Sequence, residues 1–510
     1  MPSRSPVVFP LAVVLALTAC ASEQGALTNR MEHGSTAYLA RAARQPVRWQ
    51  VWGSDAFAIA ARLDRPLLLV VGAERCRPCA EMESVWDDPA LAGLVNTLFV
   101  PVRVDRDDRP DVARRYQAVV RTLTGLDGYP LTVFLTADGG AFFGGTTFPA
   151  DDPLTGRGLR QLLPEVARGY RERREFVVRQ AAQVQQLAAG RPGSTHGLLH
   201  AAPLDAAITS VRVELERAAR PAGVAHARAA GLLFTRFALT GDTADLIVAR
   251  ATLDRLIPSL DAAIDAPDVA DPPVLVRAAL LRTLVQGWAA THDSVLLYAA
   301  RRVIAPLVEA LDRTGHSERA GEGPSFTDQT AYVAGTVLAA GPAVGDSMAP
   351  LRAQAALDSL LRRAYGRGLG ARHATVQSVG GLLQDQVQLA AACLAAWETI
   401  GERRYLAAAE DLVAVIEREY AAPLGGYHDA AHTDMSTPFA VGFSRQVLDD
   451  LLPAANPWAA RLMAQLAAAT GERAYARRAT ATLEAFAGGA SSFGMDGATY
   501  LETARIAVAP

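Results

Sequence analysis

Lysine is absent from this 510-residue chain, and all fifty basic residues are arginine. Without an ε-amine there is no Schiff-base chemistry and no P-loop lysine to hold a phosphate. An excess of either charge is also missing. The 53 acids and 50 bases leave a net charge of −3, so nothing points to nucleic acid as a partner. Cysteine is scarce, with four residues at Cys20, Cys76, Cys79 and Cys393, which rules out a disulfide scaffold. Cys393 lies in the apolar run Leu389–Leu394 and reads as inert core. Half of the residues are hydrophobic and a fifth are charged, which is a globular composition. At this length two or three domains are expected.

The stretch Glu74-Arg75-Cys76-Arg77-Pro78-Cys79-Ala80 follows the apolar run Leu67–Val71 directly. A buried strand that delivers Cys-x-x-Cys to the start of a helix is the thioredoxin arrangement. Cys76 then stands at a helix N-terminus, where unpaired N–H groups and the helix dipole favour thiolate. Arg75 and Arg77 push the same way. A zinc pair and a pair that has lost its chemistry are the alternatives, but zinc usually takes four ligands and no second Cys-x-x-Cys occurs. No cofactor or metal is implied.

Residues 1–20 read as a targeting segment. Arg4 supplies a positive start, and Val7 to Leu17 form an apolar stretch too short to span a membrane. It ends in Leu17-Thr18-Ala19-Cys20, which resembles the bacterial lipobox. That resemblance implies cleavage before Cys20, lipidation of its thiol, and an extracytoplasmic protein anchored to the bacterial membrane by acyl chains. Ala21 after the cysteine implies the outer membrane if the cell is Gram-negative. A plain signal peptide with a chance cysteine is the alternative.

Residues 30–150 read as an α/β thioredoxin-like domain. Helices are expected over about 35–44 and 54–62, after Cys76 to about Trp86, from Asp88-Pro89, and over about 109–120. Strands are expected at Leu67–Gly72 and Leu98–Val104. Leu131–Leu135, the turn Asp138-Gly139-Gly140 and Ala141–Thr146 read as a hairpin. Pro130 stands where thioredoxin folds carry a cis-proline beside the cysteines, with Tyr129 before it. Tyr129, Pro130 and Arg77 are therefore the expected substrate-contacting residues.

More specific motifs recur in one order: Pro46-Val47-Arg48-Trp49, Trp52-Gly53, Val104-Asp105-Arg106, Gly128-Tyr129-Pro130-Leu131-Thr132-Val133-Phe134, and Gly144-Gly145-Thr146-Thr147-Phe148-Pro149. With these the chain resembles the thioredoxin-domain family typified by spermatogenesis-associated protein 20 and its bacterial relatives. The resemblance covers about 30–190 well and implies a following helical domain related to six-hairpin glycosidases. Three positions depart from it. The family usually has His-Trp between the cysteines, where this chain has Arg77-Pro78. Its Trp before the proline is Tyr129. The buried Asp that thioredoxin carries six residues before the first cysteine is Val70, so no proton acceptor for Cys79 is evident.

Residues 151–195 read as a connecting helix and linker, closed by Gly190-Arg191-Pro192-Gly193-Ser194. Over 200–510 a repeat emerges. Gly241-Asp242, His292-Asp293, Gly345-Asp346, Gly401-Glu402 and Gly471-Glu472 each close one Ala/Leu-rich helix and open the next, 51 to 70 residues apart. Glycine ends the first helix and the acid suits the start of the second. Each unit is thus an αα-hairpin. About five are visible, which gives either an α/α toroid or a solenoid, and the family resemblance favours the toroid, complete or incomplete. Counting back from each turn places His226, Arg277, Asp328, Asp385 and Asn456 at one mouth. Asp328-Gln329 and Asp385-Gln386 repeat one pattern, so Asp328 and Asp385 are either an acid/base pair for sugar chemistry or helix caps.

Three functions follow. The first is a membrane-anchored thiol–disulfide oxidoreductase in which Cys76 attacks and Cys79 resolves, acting on protein thiols or disulfides with an unidentified redox partner. The second is a carbohydrate-active or sugar-binding toroid with an accessory thioredoxin domain. The third is a non-enzymatic envelope scaffold.

Overall fold

The computed structural model describes residues 27–74, 76–152, 157–189, 196–218, 223–262, 273–315, 326–374, 381–431 and 444–509. Cys20 and the lipobox, Arg75 and the Gly190–Ser194 linker lie outside these.

The N-terminal unit is built on five strands: β1 (Gln50–Val51), β2 (Leu67–Gly72), β3 (Val100–Asp105), β4 (Leu131–Leu135) and β5 (Ala141–Gly145). Their order is β1-β3-β2-β4-β5. β2 runs parallel to β3 and antiparallel to β4, and β4 and β5 form the expected hairpin. The central strand β2 is buried along its whole length, as an unbroken apolar run should be in a sheet covered on both faces. Its Leu68 and Val70 face one core cluster, while Leu67, Leu69 and Val71 face another.

Among the described residues, seven α-helices surround the sheet: α1 (Ala37–Arg41), α2 (Ser54–Leu63), α3 (Arg77–Trp86), α4 (Pro89–Leu98), α5 (Pro110–Thr124), α6 (Leu159–Glu172) and α7 (Arg174–Ala189). Met82, Trp86, Leu91, Val95, Leu159 and Leu163 bring α3, α4 and α6 onto the first face. Phe57 and Ala60 of α2, with Val112, Tyr116 and Val120 of α5, cover the second. The Asp88 carboxylate caps α4 by accepting from the amides of Ala90 and Leu91 at 2.8 and 3.2 Å, and Pro89 fills a first-turn site that needs no donor. The stretch read as a connector instead packs on the sheet. Val177 and Ala181 of α7 join the first core cluster and Val184 the second, so these helices belong to the thioredoxin-like unit.

Among the described residues, twelve α-helices make the C-terminal unit. They are α8 (Ala201–Arg217), α9 (Gly223–Thr240), α10 (Thr243–Ala262), α11 (Pro273–Thr291), α12 (Ser294–Gly315) and α13 (Thr327–Val344). The rest are α14 (Met348–Ala364), α15 (Leu383–Ile400), α16 (Arg403–Glu419), α17 (Ala455–Thr470), α18 (Arg473–Glu484) and α19 (Ala498–Ala507). The odd-numbered helices from α9 to α19 pack in sequence, and α19 returns against α9, so the ring is closed. The even-numbered helices form the outer layer, each beside its hairpin partner. The sixth pair joins the chain's last helix to α8, the first helix of this unit. Local repeat reading sees five hairpins because that sixth one has no connecting turn.

The turns follow the repeat. Gly241, Gly345, Gly401 and Gly471 take φ of 75°, 72°, 84° and 76°, the left-handed conformation that glycine enters without strain. His292 holds the equivalent place at φ 56°. Asp242, Asp293 and Asp346 then cap the outgoing helices by accepting from the amides of Ala244, Val295 and Met348 at 2.9–3.0 Å. Among the described residues, no helix is long and apolar enough to cross a membrane.

Candidate functional site

Cys76 is the N-cap of α3, in extended conformation, and the Cys79 amide donates to its Sγ at 3.2 Å. A thiolate formed there would meet that amide and the positive end of the helix. The two cysteines are joined by a disulfide. Cys76 is half-buried and Cys79 is buried, so the first sulfur is the one that an incoming group meets. Arg77 points to solvent and pairs with Glu81 at 3.2 Å on the same helix. The Tyr129–Pro130 bond is cis. Tyr129 packs against the same core cluster as Cys76, donates its hydroxyl to Gln117 Oε1 at 3.1 Å, and lies 5.2 Å from the Arg106 guanidinium.

Val70 leaves its own position without a carboxylate, but its register partner on β3 is Arg103. Arg103 is 1% exposed, projects onto the same face as Cys79, and lies 4.0 Å above the Tyr38 ring. It pairs with Glu83, which is one helical turn beyond Cys79 on α3. Gln45 completes the group, donating to Glu83 at 2.8 Å and accepting from Trp49 Nε1 at 2.8 Å. Asp105, two residues along the same strand, is buried, and burial with the neighbouring Asp107 charge pushes its pKa up to about 7. Sequence reading missed this ionic group because Arg103 and Glu83 look like ordinary surface residues. The one available signal was Arg103 inside the otherwise apolar run Val100–Val104.

The toroid residues Asp328 and Asp385 come together with His373. All three are buried, at 4%, 0% and 1% exposure. Asp385 accepts from the Leu382 amide at 2.8 Å, capping α15, and from the Asp328 amide at 3.2 Å. Its Oδ1 lies 2.9 Å from His373 Nδ1. His373 Nε2 donates to the Asp107 carbonyl of the thioredoxin-like unit at 2.8 Å. Burial opposes charge on this ring, but Asp385 and Asp328 outweigh it and raise its pKa to about 10. Burial, with Asp385 beside it, pushes Asp328 up to about 7 against the opposing effect of His373. The ligand atoms of the three lie within 4.8 Å of one another, a spacing that suits a metal ion. Both imidazole nitrogens, however, are turned to acceptors, so the ring serves as a double donor. Nearby, Arg114 of α5 reaches Asp429 of the toroid at 3.6 Å. Asn456, the third equivalent position, accepts from the Tyr427 amide at 2.7 Å and donates to the Tyr427 and Gln446 carbonyls at 3.0 Å each.

The mouth formed by the inner-helix N-termini is therefore where the thioredoxin-like unit docks. Its acids hold loops and the neighbouring unit in place, and each is closed in by hydrogen-bond partners.

A helix-capping Cys-x-x-Cys beside a cis-proline on this sheet, followed by a closed ring of helical hairpins, defines a thioredoxin-like domain joined to an α/α toroid. Residues 28–188 match the Thioredox_DsbH family model, described as a protein of unknown function, DUF255. This segment is 34% identical over 157 residues to human spermatogenesis-associated protein 20, a match covering 31% of this chain and 20% of that protein. It is 35% identical over 160 residues to the uncharacterized protein B0495.5 of Caenorhabditis elegans, covering 31% of this chain and 22% of that one. The chain thus spans about a fifth of the length of these curated relatives. Solved structures similar to the chain include an unsaturated glucuronyl hydrolase specific for heparin, at 12% identity and TM-score 0.46 over 60% of this chain and 96% of that one. A GH76 α-mannanase from Bacteroides thetaiotaomicron is similar at 9% identity and TM-score 0.43, over 60% of this chain and 94% of that one.

Proposed function

We propose that this protein is a thiol–disulfide oxidoreductase anchored on the extracytoplasmic side of a bacterial membrane. The observation that carries the reading is Cys76 at the α3 N-cap, with the Cys79 amide on its sulfur. In the reduced protein the Cys76 thiolate attacks one sulfur of a substrate disulfide. That S–S bond breaks, its electron pair leaves on the other substrate sulfur, and a mixed disulfide forms. Cys79, after losing its proton, attacks Cys76 Sγ, releases the second substrate thiol and closes the Cys76–Cys79 disulfide. The substrate gains two electrons and the protein loses two, which an external dithiol returns. Run backwards, the same steps oxidise a substrate dithiol. Asp105, near neutrality in pKa and on the face of the sheet that carries Cys79, is the carboxylate we assign to receive the Cys79 proton.

Arg4, the apolar Val7–Leu17 run and the Leu17–Cys20 tetrad support lipid anchoring through Cys20. Tyr129, Pro130 and the exposed Arg77 are the residues that we assign to the substrate chain.

The test is trapping in the native envelope. Cys79→Ser is expected to accumulate mixed disulfides with partner proteins that dithiothreitol releases, while Cys76→Ser accumulates none. If Cys79→Ser traps nothing and the wild-type protein shows no turnover of insulin or glutathione disulfide, the reading fails.

A further inference from the structure

The toroid holds a second feature, at the end away from the docked unit. The inward faces of α11, α13, α15 and α17 carry small residues such as Ala331, Gly335 and Ala391. They leave a cavity of about 230 Å³ between these helices. At about 30 Å³ per liquid water this is room for seven or eight waters, or one small organic molecule. The floor holds Tyr332 and Gln388, 3% and 1% exposed, and the rim holds the solvent-exposed Glu398 and Gln465. Counted from the helix starts at Thr327 and Leu383, the rim lies toward the Gly-acid turns. The cavity therefore opens opposite the mouth that contains Asp328 and Asp385.

The polar groups in it are out of balance. Among the described residues, Tyr332 Oη and Gln388 Nε2 are buried and have no hydrogen-bond partner, and the same holds for Arg282 Nη2. Buried donors left this way are costly and uncommon in folded proteins. Arg282 has only a distant share of Glu502, at 4.0 Å. The same Glu502 oxygen already accepts from Gln286 at 2.6 Å and Thr235 at 3.2 Å and pairs with Arg461 at 3.2 Å. Both guanidiniums lie over Trp458, 4.5 and 5.6 Å from its ring, so its face is already taken. Burial and the nearby Arg461 charge push the Arg282 pKa down to about 10. A guanidinium, an amide N–H and a hydroxyl thus belong to residues lining one space, with no acceptor in hydrogen-bond reach of them. A carboxylate answers the first, and hydroxyls answer the other two.

We propose that the toroid cavity binds a small hydroxylated carboxylate, of the hydroxy-acid or sugar-acid class, with its carboxylate on Arg282 and its hydroxyls on Tyr332 and Gln388. The cysteine chemistry takes no part in this. Binding is expected to be the same in the oxidised and reduced protein.

The test is isothermal titration of the full chain with three probes of similar length at constant ionic strength. D-gluconate carries both features, D-glucitol lacks the carboxylate, and hexanoate lacks the hydroxyls. Saturable gluconate binding is expected, with glucitol and hexanoate each at least about tenfold weaker. Arg282→Gln is expected to weaken gluconate about tenfold or more, and Tyr332→Phe several-fold. Because Tyr332→Phe removes only an unpaired hydroxyl, its fold is expected to survive, and it decides the matter if Arg282→Gln does not fold. The proposal is overturned if none of the three probes binds at millimolar concentration, which leaves a water-filled cavity. Wild-type gluconate affinity in Tyr332→Phe, or equal affinity for gluconate and glucitol, also overturns it.

Discussion

His373 is one residue through which the two units of this chain meet, and replacing it with Gln should reveal how much that contact contributes. The imidazolium donates on one side to Asp385 at 2.9 Å and on the other to the Asp107 carbonyl at 2.8 Å, with both the ring and the carboxylate buried. Removing one partner of a buried ion pair costs about 3–5 kcal/mol, because the remaining charge loses its compensation without regaining water. Gln can replace one of the two hydrogen bonds, worth about 1 kcal/mol, which puts the expected loss near ~2–4 kcal/mol. Urea unfolding of the full chain would read it as a lower midpoint. A cycle with Asp385→Asn should show a double variant that loses clearly less than the sum of the singles.

The pH dependence has a definite sign. The folded His373 pKa of about 10 lies above the ordinary 6.5, so its contribution is complete below about pH 6.5 and disappears as pH rises through about 10. Asp328, raised from 3.8 to about 7, is also protonated more readily when folded. Its contribution is present below about pH 3.8 and is lost as pH rises through about 7. The wild-type midpoint should therefore fall between pH 7 and 10, and that part of the fall should vanish in His373→Gln. Additive single variants, or identical pH profiles with and without His373, would refute the charged-latch argument.

Further outcomes are expected elsewhere. Arg103→Met should destabilise the thioredoxin-like unit by about 3–5 kcal/mol, since it leaves Glu83 facing a buried apolar group; a loss below about 1 kcal/mol in chemical unfolding would show that the pair is solvent-screened. Gly426→Ala should cost more than Gly471→Ala, although both have positive φ, at 68° and 76°. A Cβ at 426 would sit 2.7 Å from Asn456 Oδ1 and 3.0 Å from the Phe486 ring, whereas at 471 nothing lies within 4 Å. The second should cost roughly 1–2 kcal/mol and the first noticeably more, as thermal unfolding would report.

The elements of this protein were legible wherever physical chemistry acts over a few residues. Leu67–Gly72 emerged with the bounds expected of an apolar run between helices, and the Gly-acid turns take the left-handed conformation that their glycines suggest. The choice of a toroid over a solenoid came from the family resemblance, while the thioredoxin-like unit was readable from spaced motifs and the helical hairpins from local periodicity. The sixth hairpin was not, because α8 and α19 are separated by nearly the whole toroid, and only ring closure pairs them.

The composition and order of the chain by themselves determined the cysteine pair at a helix start, the proline beside it, the repeat, and the absence of lysine chemistry. Tertiary structure alone decided the surroundings of these groups. Sequence periodicity says that Asp328 and Asp385 share a mouth, but not that another unit fills it. It marks Val70 as a missing acid, but not that the neighbouring strand brings Arg103 to that face. It makes Arg282, Tyr332 and Gln388 three unrelated helix residues, which meet only because four inner helices curve around one space. Local sequence encodes which conformations are cheap. Charge balance and burial depend on which distant groups are brought together, and those are settled only when the ring closes and the two units meet.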